Sequence, residues 1–173
     1  MVCSPTPAKV LAQRIVVGVA EFAVASAPQV TLSTYALGSC VGVAAYDPEA
    51  QAGGLLHVIL PDSSSSPAKA RRQPGMFADT GLPALFAALA GVRADRSRLR
   101  LFIAGGASPL AGPDTFKIGE RNLAAVIRLL DAGGCHLFSC QVGGTINRTL
   151  HLNIGTGQLA IKLPDRTMEF ALG

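Results

Sequence analysis

Short apolar runs of strand length, each closed by turn residues, mark positions 14 to 61, and helical spacing first appears near residue 79. "RIVVGV" and "EFAVAS" read as two strands joined by a turn, and the stretch from Thr34 to Tyr46 reads as a strand or a strand-turn-strand. "YDPEAQAGG" is a turn opened by Asp47-Pro48 and closed by Gly53-Gly54, and "LLHVILP" is a further strand-length run ended by Pro61. Leu82, Leu85, Phe86 and Leu89 recur at helical spacing and predict a helix over 79–91, capped by Asp79 or Thr80. "LRLFIAGGA" is a strand ending in a glycine turn. A second helix is predicted over 119–132, with Leu123, Val126, Ile127 and Leu130 as its apolar stripe and Gly133-Gly134 as its stop. Three strand-like runs follow, "CHLFSCQV", "RTLHLNIG" and "QLAIKLP". Strands, helix, strand, helix, strands is the order of an α+β or mixed α/β layered domain, not of a regular β-α-β series.

The 173 residues suffice for one domain with its own core. Residues 1–13 read as a loose arm and 14–173 as the domain. With 49% hydrophobic residues, 19 glycines and no tryptophan, small apolar side chains must fill most of the interior. The net charge of +4 is scattered, and no aromatics interleave with the basic residues, which argues against a nucleic-acid partner. A weakly basic surface suits an acidic protein partner. The four cysteines, at 3, 40, 135 and 140, show no disulfide-framework spacing and read as reduced thiols in a cytoplasmic protein. "RIVVGVAEFAVASAP" has some features of a secretion signal, but Glu21 breaks its apolar stretch and strands are the better reading. No run of about 18 uncharged apolar residues predicts membrane insertion. "DSSSSPAKARRQPG" reads as a mobile loop, either a disordered linker or a rim that touches substrate.

Cys40 follows a Gly-Ser pair, and His57 interrupts an apolar run seventeen residues later. A hairpin turning at Pro48-Glu49 sets the two opposite one another, where Cβ atoms lie about 4.5–5.5 Å apart. A slip of two residues keeps them on one face, whereas a slip of one separates them. A nearby imidazolium turns a thiol into a thiolate, and the same ring can then protonate a leaving amine and activate water. Gly38 allows close backbone approach, and N–H groups around Ser39 and Cys40 could form an oxyanion hole. The spacing equally permits a buried structural thiol and a hydrogen-bonded core histidine.

"LGSCVGVAAYDPEAQAGGLLHVILP" resembles the signature of the chemoreceptor glutamine deamidase family, CheD. In that family a Thr, a Gly-Ser-Cys whose cysteine lies six residues on, and a His seventeen further on inside "H..LP" form the active site; the matching residues are Thr34, Cys40 and His57. "IVVGV", "FAD", "FIAGGA", "IGERN" and "VGGTINR" resemble further family blocks in the same order, over about residues 14 to 163. The chain departs at Ala36, where the family more often has Gly, at Ser108-Pro109, where it often has Asn-Met, and at Asn147, where it usually has Gly. The resemblance implies a cysteine-dependent protein-glutamine deamidase without a cofactor. Cys40 would attack a glutamine carboxamide in the helical cytoplasmic region of a chemoreceptor, His57 would move the protons and Thr34 would orient His57. It also implies a CheC-type phosphatase as partner, and a layered α/β sandwich with mixed sheets, similar to the catalytic domain of the cytotoxic necrotizing factor toxins. Two other readings stand beside it: a silent docking module for a phosphatase or receptor, and a Cys-His hydrolase of another acyl substrate.

Cys135, His136, Cys140 and His151 have the wrong spacing for a zinc site, since Cys135 and Cys140 face opposite sides of one strand; no metal is expected and core thiols are the alternative. "AGGASPLAG" lacks a phosphate-loop pattern. Arg121 and Asn122 read as braces for the loop before them.

Overall fold

The computed structural model describes residues 12–108 and 116–173. Cys3, most of the expected arm and Pro109 lie outside the described residues. Among the described residues, ten strands form two five-stranded mixed sheets. The first has the order β1-β3-β8-β9-β10, with β1 Gln13–Val16, β3 Val30–Leu37, β8 Arg148–Asn153, β9 Gln158–Lys162 and β10 Thr167–Ala171. The second has the order β2-β5-β4-β6-β7, with β2 Phe22–Ala25, β5 Ala52–Val58, β4 Val41–Asp47, β6 Arg100–Gly105 and β7 Leu137–Val142. One pair in each sheet is parallel, β1 with β3 and β6 with β7. The expected layered fold with mixed sheets and two main helices is what forms.

The two sheets pack face to face, with Leu32, Leu37 and Leu150 of the first against Ala44, Leu55 and Phe102 of the second. Helices α2 (Ala78–Gly91) and α3 (Ile118–Ala132) cover the other face of the second sheet, where Leu82, Leu85, Val126 and Leu130 meet Val43, Leu56 and Ile103. β4 and β5 are therefore buried on both faces along their whole length, which explains their near-continuous apolar sequence. Among the described residues no helix packs on the outer face of the first sheet, and β8 alternates buried and half-buried residues accordingly.

Several local expectations are corrected. Gly53-Gly54 does not close the turn but lies inside β5. A Cβ at Gly54 would stand 2.7 Å from Leu85 Cδ1, and one at Gly53 would stand 3.0 Å from both the Ala45 carbonyl and Leu152 Cδ2, so glycine here lets the layers approach. The Ser-rich segment is ordered: it holds a short helix, α1 (Pro67–Arg72), with proline in its first turn. Asp79 and Thr80 do not cap α2, whose N-cap is Phe77; the Asp79 carboxylate accepts from Ser63 N–H and Oγ, and the Thr80 hydroxyl donates to the Pro74 carbonyl. In α3 the buried stripe runs through Asn122, Ala125, Val126 and Leu130, while Ile127 is exposed. Cys140 is exposed and Cys135 half-buried, so neither is a core thiol. β10 had no counterpart among the expected strands, and Gln13, assigned to the arm, opens β1.

Candidate active site

Thr34, Cys40 and His57 converge at one end of the layer between the sheets. In β5, His57 shares the inter-sheet face with Leu55; in β3, Thr34 shares it with Leu32. Cys40 lies one residue before β4, on the face of Gly42 and Ala44, and packs against the same inter-sheet core.

The β4–β5 hairpin pairs Gly42 with His57 and Val41 with Val58. The register is thus two residues from the one that a turn at Pro48-Glu49 sets. Asp47 pairs with Ala52 around a four-residue turn, in which the Asp47 carboxylate accepts the Glu49 and Ala50 N–H groups and Gln51 takes a left-handed φ of +46°. A shift of two keeps the face, and Cys40 becomes the diagonal neighbour of His57, at a spacing of about 7–8 Å between backbones.

The histidine is held through Thr34. The Thr34 hydroxyl donates to the Val17 carbonyl at 2.8 Å and lies 2.8 Å from His57 Nδ1, with both contacts buried. A hydroxyl has one proton. Because Val17 takes it, Nδ1 must carry the ring proton and donate to Thr34 Oγ1, which leaves Nε2 with its lone pair. Nε2 is buried and has no partner among the described residues. The backbone fixes the ring as well: His57 N–H donates to the Glu21 carbonyl, and the His57 carbonyl accepts from Ala20 N–H. Segment 17–21 therefore cradles both Thr34 and His57. The role of Val17 was invisible in the sequence, since a backbone carbonyl leaves no residue signature.

The segment around Cys40 is held just as closely. Its carbonyl accepts from Gly106 N–H, and the Gly38 carbonyl accepts from Ala107 N–H. Gly105, at φ +106°, makes this approach feasible, because a Cβ there would stand 2.1 Å from the Cys40 carbonyl oxygen. Ala36 has a left-handed φ of +57° and its carbonyl accepts the Gly38 N–H, a tight turn just before the cysteine. That backbone is why glycine suits position 36. The Gly38 N–H is therefore occupied, whereas the Ser39 and Cys40 N–H groups are given to no carbonyl among the described residues. Asn122, in the first turns of α3, is fully buried and its Nδ2 donates to two carbonyls, Ser39 at 3.0 Å and Ile59 at 2.6 Å. It ties the segment before Cys40 to the strand end after His57, whereas the sequence reading has it brace the loop before its own helix. Its Oδ1 is buried without a partner among the described residues.

Burial sets the protonation states. It pushes the Cys40 thiol above its ordinary range, partly offset by the residue's own backbone N–H, and lowers the His57 pKa to about 4. At neutral pH the pair rests as thiol and neutral imidazole. Burial thus works against the thiolate-imidazolium pair expected from the sequence, by favouring the neutral form of each partner.

The CheD family, described as CheD chemotactic sensory transduction, matches residues 59–163. The chain belongs to it. The chain is also 48% identical to the probable chemoreceptor glutamine deamidase CheD of Solibacter usitatus, over 85% of this chain and 87% of that protein. It is 40% identical to the probable chemoreceptor glutamine deamidase CheD 1 of Syntrophus aciditrophicus, over 86% of this chain and 92% of that one. The corresponding CheD protein of Symbiobacterium thermophilum is 44% identical over 87% of this chain and 92% of its own length. The family match begins just after His57, so Thr34, Cys40 and His57 rest on the geometry rather than on that match. Among the described residues, no helix is long and apolar enough to cross a membrane.

Proposed function

We propose that this CheD-family chain is a protein-glutamine deamidase that converts glutamines of a chemoreceptor's cytoplasmic helices to glutamate through a Cys40 thioester. The observation that carries the reading is the unpartnered, buried Nε2 of His57, aligned by Thr34 on the same layer as Cys40. The names of its relatives supply the substrate class.

Cys40 Sγ attacks the glutamine carboxamide carbon while its proton passes to Nε2. The oxyanion is met by the Ser39 and Cys40 N–H groups. The imidazolium so formed sits in a site that lowers its pKa to about 4, which makes it a strong acid for the departing nitrogen. Ammonia leaves, a thioester remains, and water gives a proton to Nε2 as it attacks the thioester carbon. Glutamate leaves and the thiol is restored. A neutral side chain becomes an anion, a local electrostatic switch on a helical bundle. Glutamyl methyl esters fit the same acyl-enzyme chemistry, and a CheC-type phosphatase is the proposed regulatory partner in the cytoplasm.

The test is intact-mass spectrometry of a chemoreceptor cytoplasmic fragment after incubation with the wild type and with Cys40→Ala. The expected result is a gain of about one mass unit per converted glutamine, with the wild type only, as NH₂ is replaced by OH. Retained binding with no mass change in either sample would overturn the enzyme reading and leave a docking module.

A further inference from the structure

Arg148 opens β8 and pairs in register with Leu37, on the inter-sheet face that Leu150 and Leu152 continue. It is 5% exposed, and among the described residues no carboxylate forms an ion pair with it. A buried cation is costly in such a layer, where an aliphatic side chain would pack without charge. The guanidinium instead spans the loop that leads into its own strand. Its Nη2 donates to the Gly143 carbonyl at 2.8 Å and its Nη1 to the Ile146 carbonyl at 3.1 Å. A planar fork of fixed donors sets the spacing of two carbonyls, which a single ammonium does not.

That loop is the outermost of three backbone tiers that end at Cys40. The Gly143 N–H donates to the Gly105 carbonyl, and the Gly144 carbonyl accepts from the Ser108 N–H, each at 2.9 Å. The loop thus grips segment 105–108 at both ends. Segment 105–108 grips the nucleophile's backbone in turn: the Gly106 N–H donates to the Cys40 carbonyl and the Ala107 N–H to the Gly38 carbonyl, each at 2.8 Å.

The Ala107 bond sets a direction. A peptide group is planar and trans, so its N–H points away from its carbonyl. The Gly38 carbonyl and the Ser39 N–H belong to one peptide group, and holding the carbonyl aims the N–H. By the same rule Asn122, whose Nδ2 holds the Ser39 carbonyl, aims the Cys40 N–H. The two N–H groups that meet the oxyanion therefore have separate anchors: Asn122 for Cys40, and the tiers behind Ala107 for Ser39.

We infer that Arg148 is a positioning residue, which by shaping loop 143–146 secures the Ala107 bond and so aims the Ser39 N–H at the oxyanion. It acts through backbone alone. The catalytic consequence rests on the deamidase reading; the anchoring does not.

The test compares the wild type with Arg148→Met and Arg148→Lys. It reads steady-state deamidation of a chemoreceptor cytoplasmic fragment, alkylation of Cys40 by iodoacetamide followed by peptide mass mapping, and amide hydrogen exchange. Alkylation joins Sγ to carbon as iodide leaves and builds no oxyanion, so it reports the thiol without the N–H donors. In Arg148→Met kcat is expected to fall about thirtyfold with KM changed less than about twofold. The alkylation rate should stay at the wild-type value, and the Ala107 amide should exchange faster while the melting transition remains cooperative. Arg148→Lys, able to hold one carbonyl, should lie between the two, and it carries the test if the methionine variant does not fold. A folded variant with wild-type kcat, or with wild-type Ala107 exchange, would overturn the inference. So would alkylation that changes in step with kcat, which marks general disruption of the site, or loss of fold in both variants. A wild type without deamidase activity would instead sink the function proposed above, and Ala107 exchange would still decide the anchoring.

Discussion

The β4–β5 hairpin carries a polar cluster at each end, and the two are completed differently. At the closed end the Asp47 carboxylate, fully buried, accepts from the N–H groups of Glu49, Ala50 and Asp95 and from the Arg98 guanidinium. Burial alone would raise its pKa; Arg98 and the three N–H groups outweigh that and hold it at about 2. At the open end His57 Nε2 and Asn122 Oδ1 are buried with no partner among the described residues. An unmet buried polar atom costs about 1–3 kcal/mol. The closed end uses its hydrogen bonds to hold the hairpin, and the open end leaves lone pairs unmet among the described residues, that of Nε2 being the one the proposed deamidation uses.

The sharpest way to break that contrast is to disturb the open end. Thr34→Val strands the Val17 carbonyl and frees the His57 ring, so kcat/KM should fall roughly 10²-fold with the fold retained. Thr34→Ser should restore most of the loss, because a hydroxyl again donates to Val17. In the wild type the catalytic base needs Nε2 unprotonated, and a pKa of about 4 means that kcat/KM holds as pH falls through 6 and drops only near 4. A pH profile of receptor-fragment deamidation measures both. An acid limb near 6.5 would mean that the ring is not desolvated as described.

Asn122→Ala should act more mildly. It releases the Ser39 and Ile59 carbonyls that Nδ2 holds, so kcat is expected to fall roughly tenfold with KM little changed. Asn122→Asp should do worse than alanine, since it faces two carbonyls with a carboxylate; steady-state kinetics of the two variants decide this. The smallest effect on activity belongs to the closed end. Asp47→Asn removes the charge that Arg98 and the turn converge on, so the melting temperature should drop by roughly 5 °C while activity per folded molecule is unchanged. The Asp47 contribution is present at neutral pH and is lost as pH falls from the ordinary carboxylate range toward 2, so the melting difference between wild type and variant should close in acid.

Much of this was legible in the chain. The strand-length runs and the two stripes at helical spacing predict the layers, and the Cys40 and His57 spacing predicts a shared face even though the hairpin register differs by two, whereas Thr34 comes only with the family resemblance. The rest depends on long-range contacts. α1 is six residues long and follows four serines, too short for its pattern to stand out. Asp79 and Thr80 have the composition of caps, but tertiary partners at Ser63 and Pro74 draw their side chains elsewhere. β10 alternates only exposed and half-buried residues, which reads as loop when its neighbour is unknown. Arg148 looks like a surface charge in the sequence, and only the fold shows it buried.

The neutral resting state of the cysteine has a consequence for chemical durability. Peroxide and alkylating agents consume thiolates far faster than thiols, so a sulfur whose proton leaves only as a substrate arrives is a poor target between turnovers. Burial that slows the nucleophile's formation also shields it from oxidation to sulfinic acid, the point beyond which ordinary reductants do not restore a thiol. Cys140, exposed on the edge strand β7, has no such shelter.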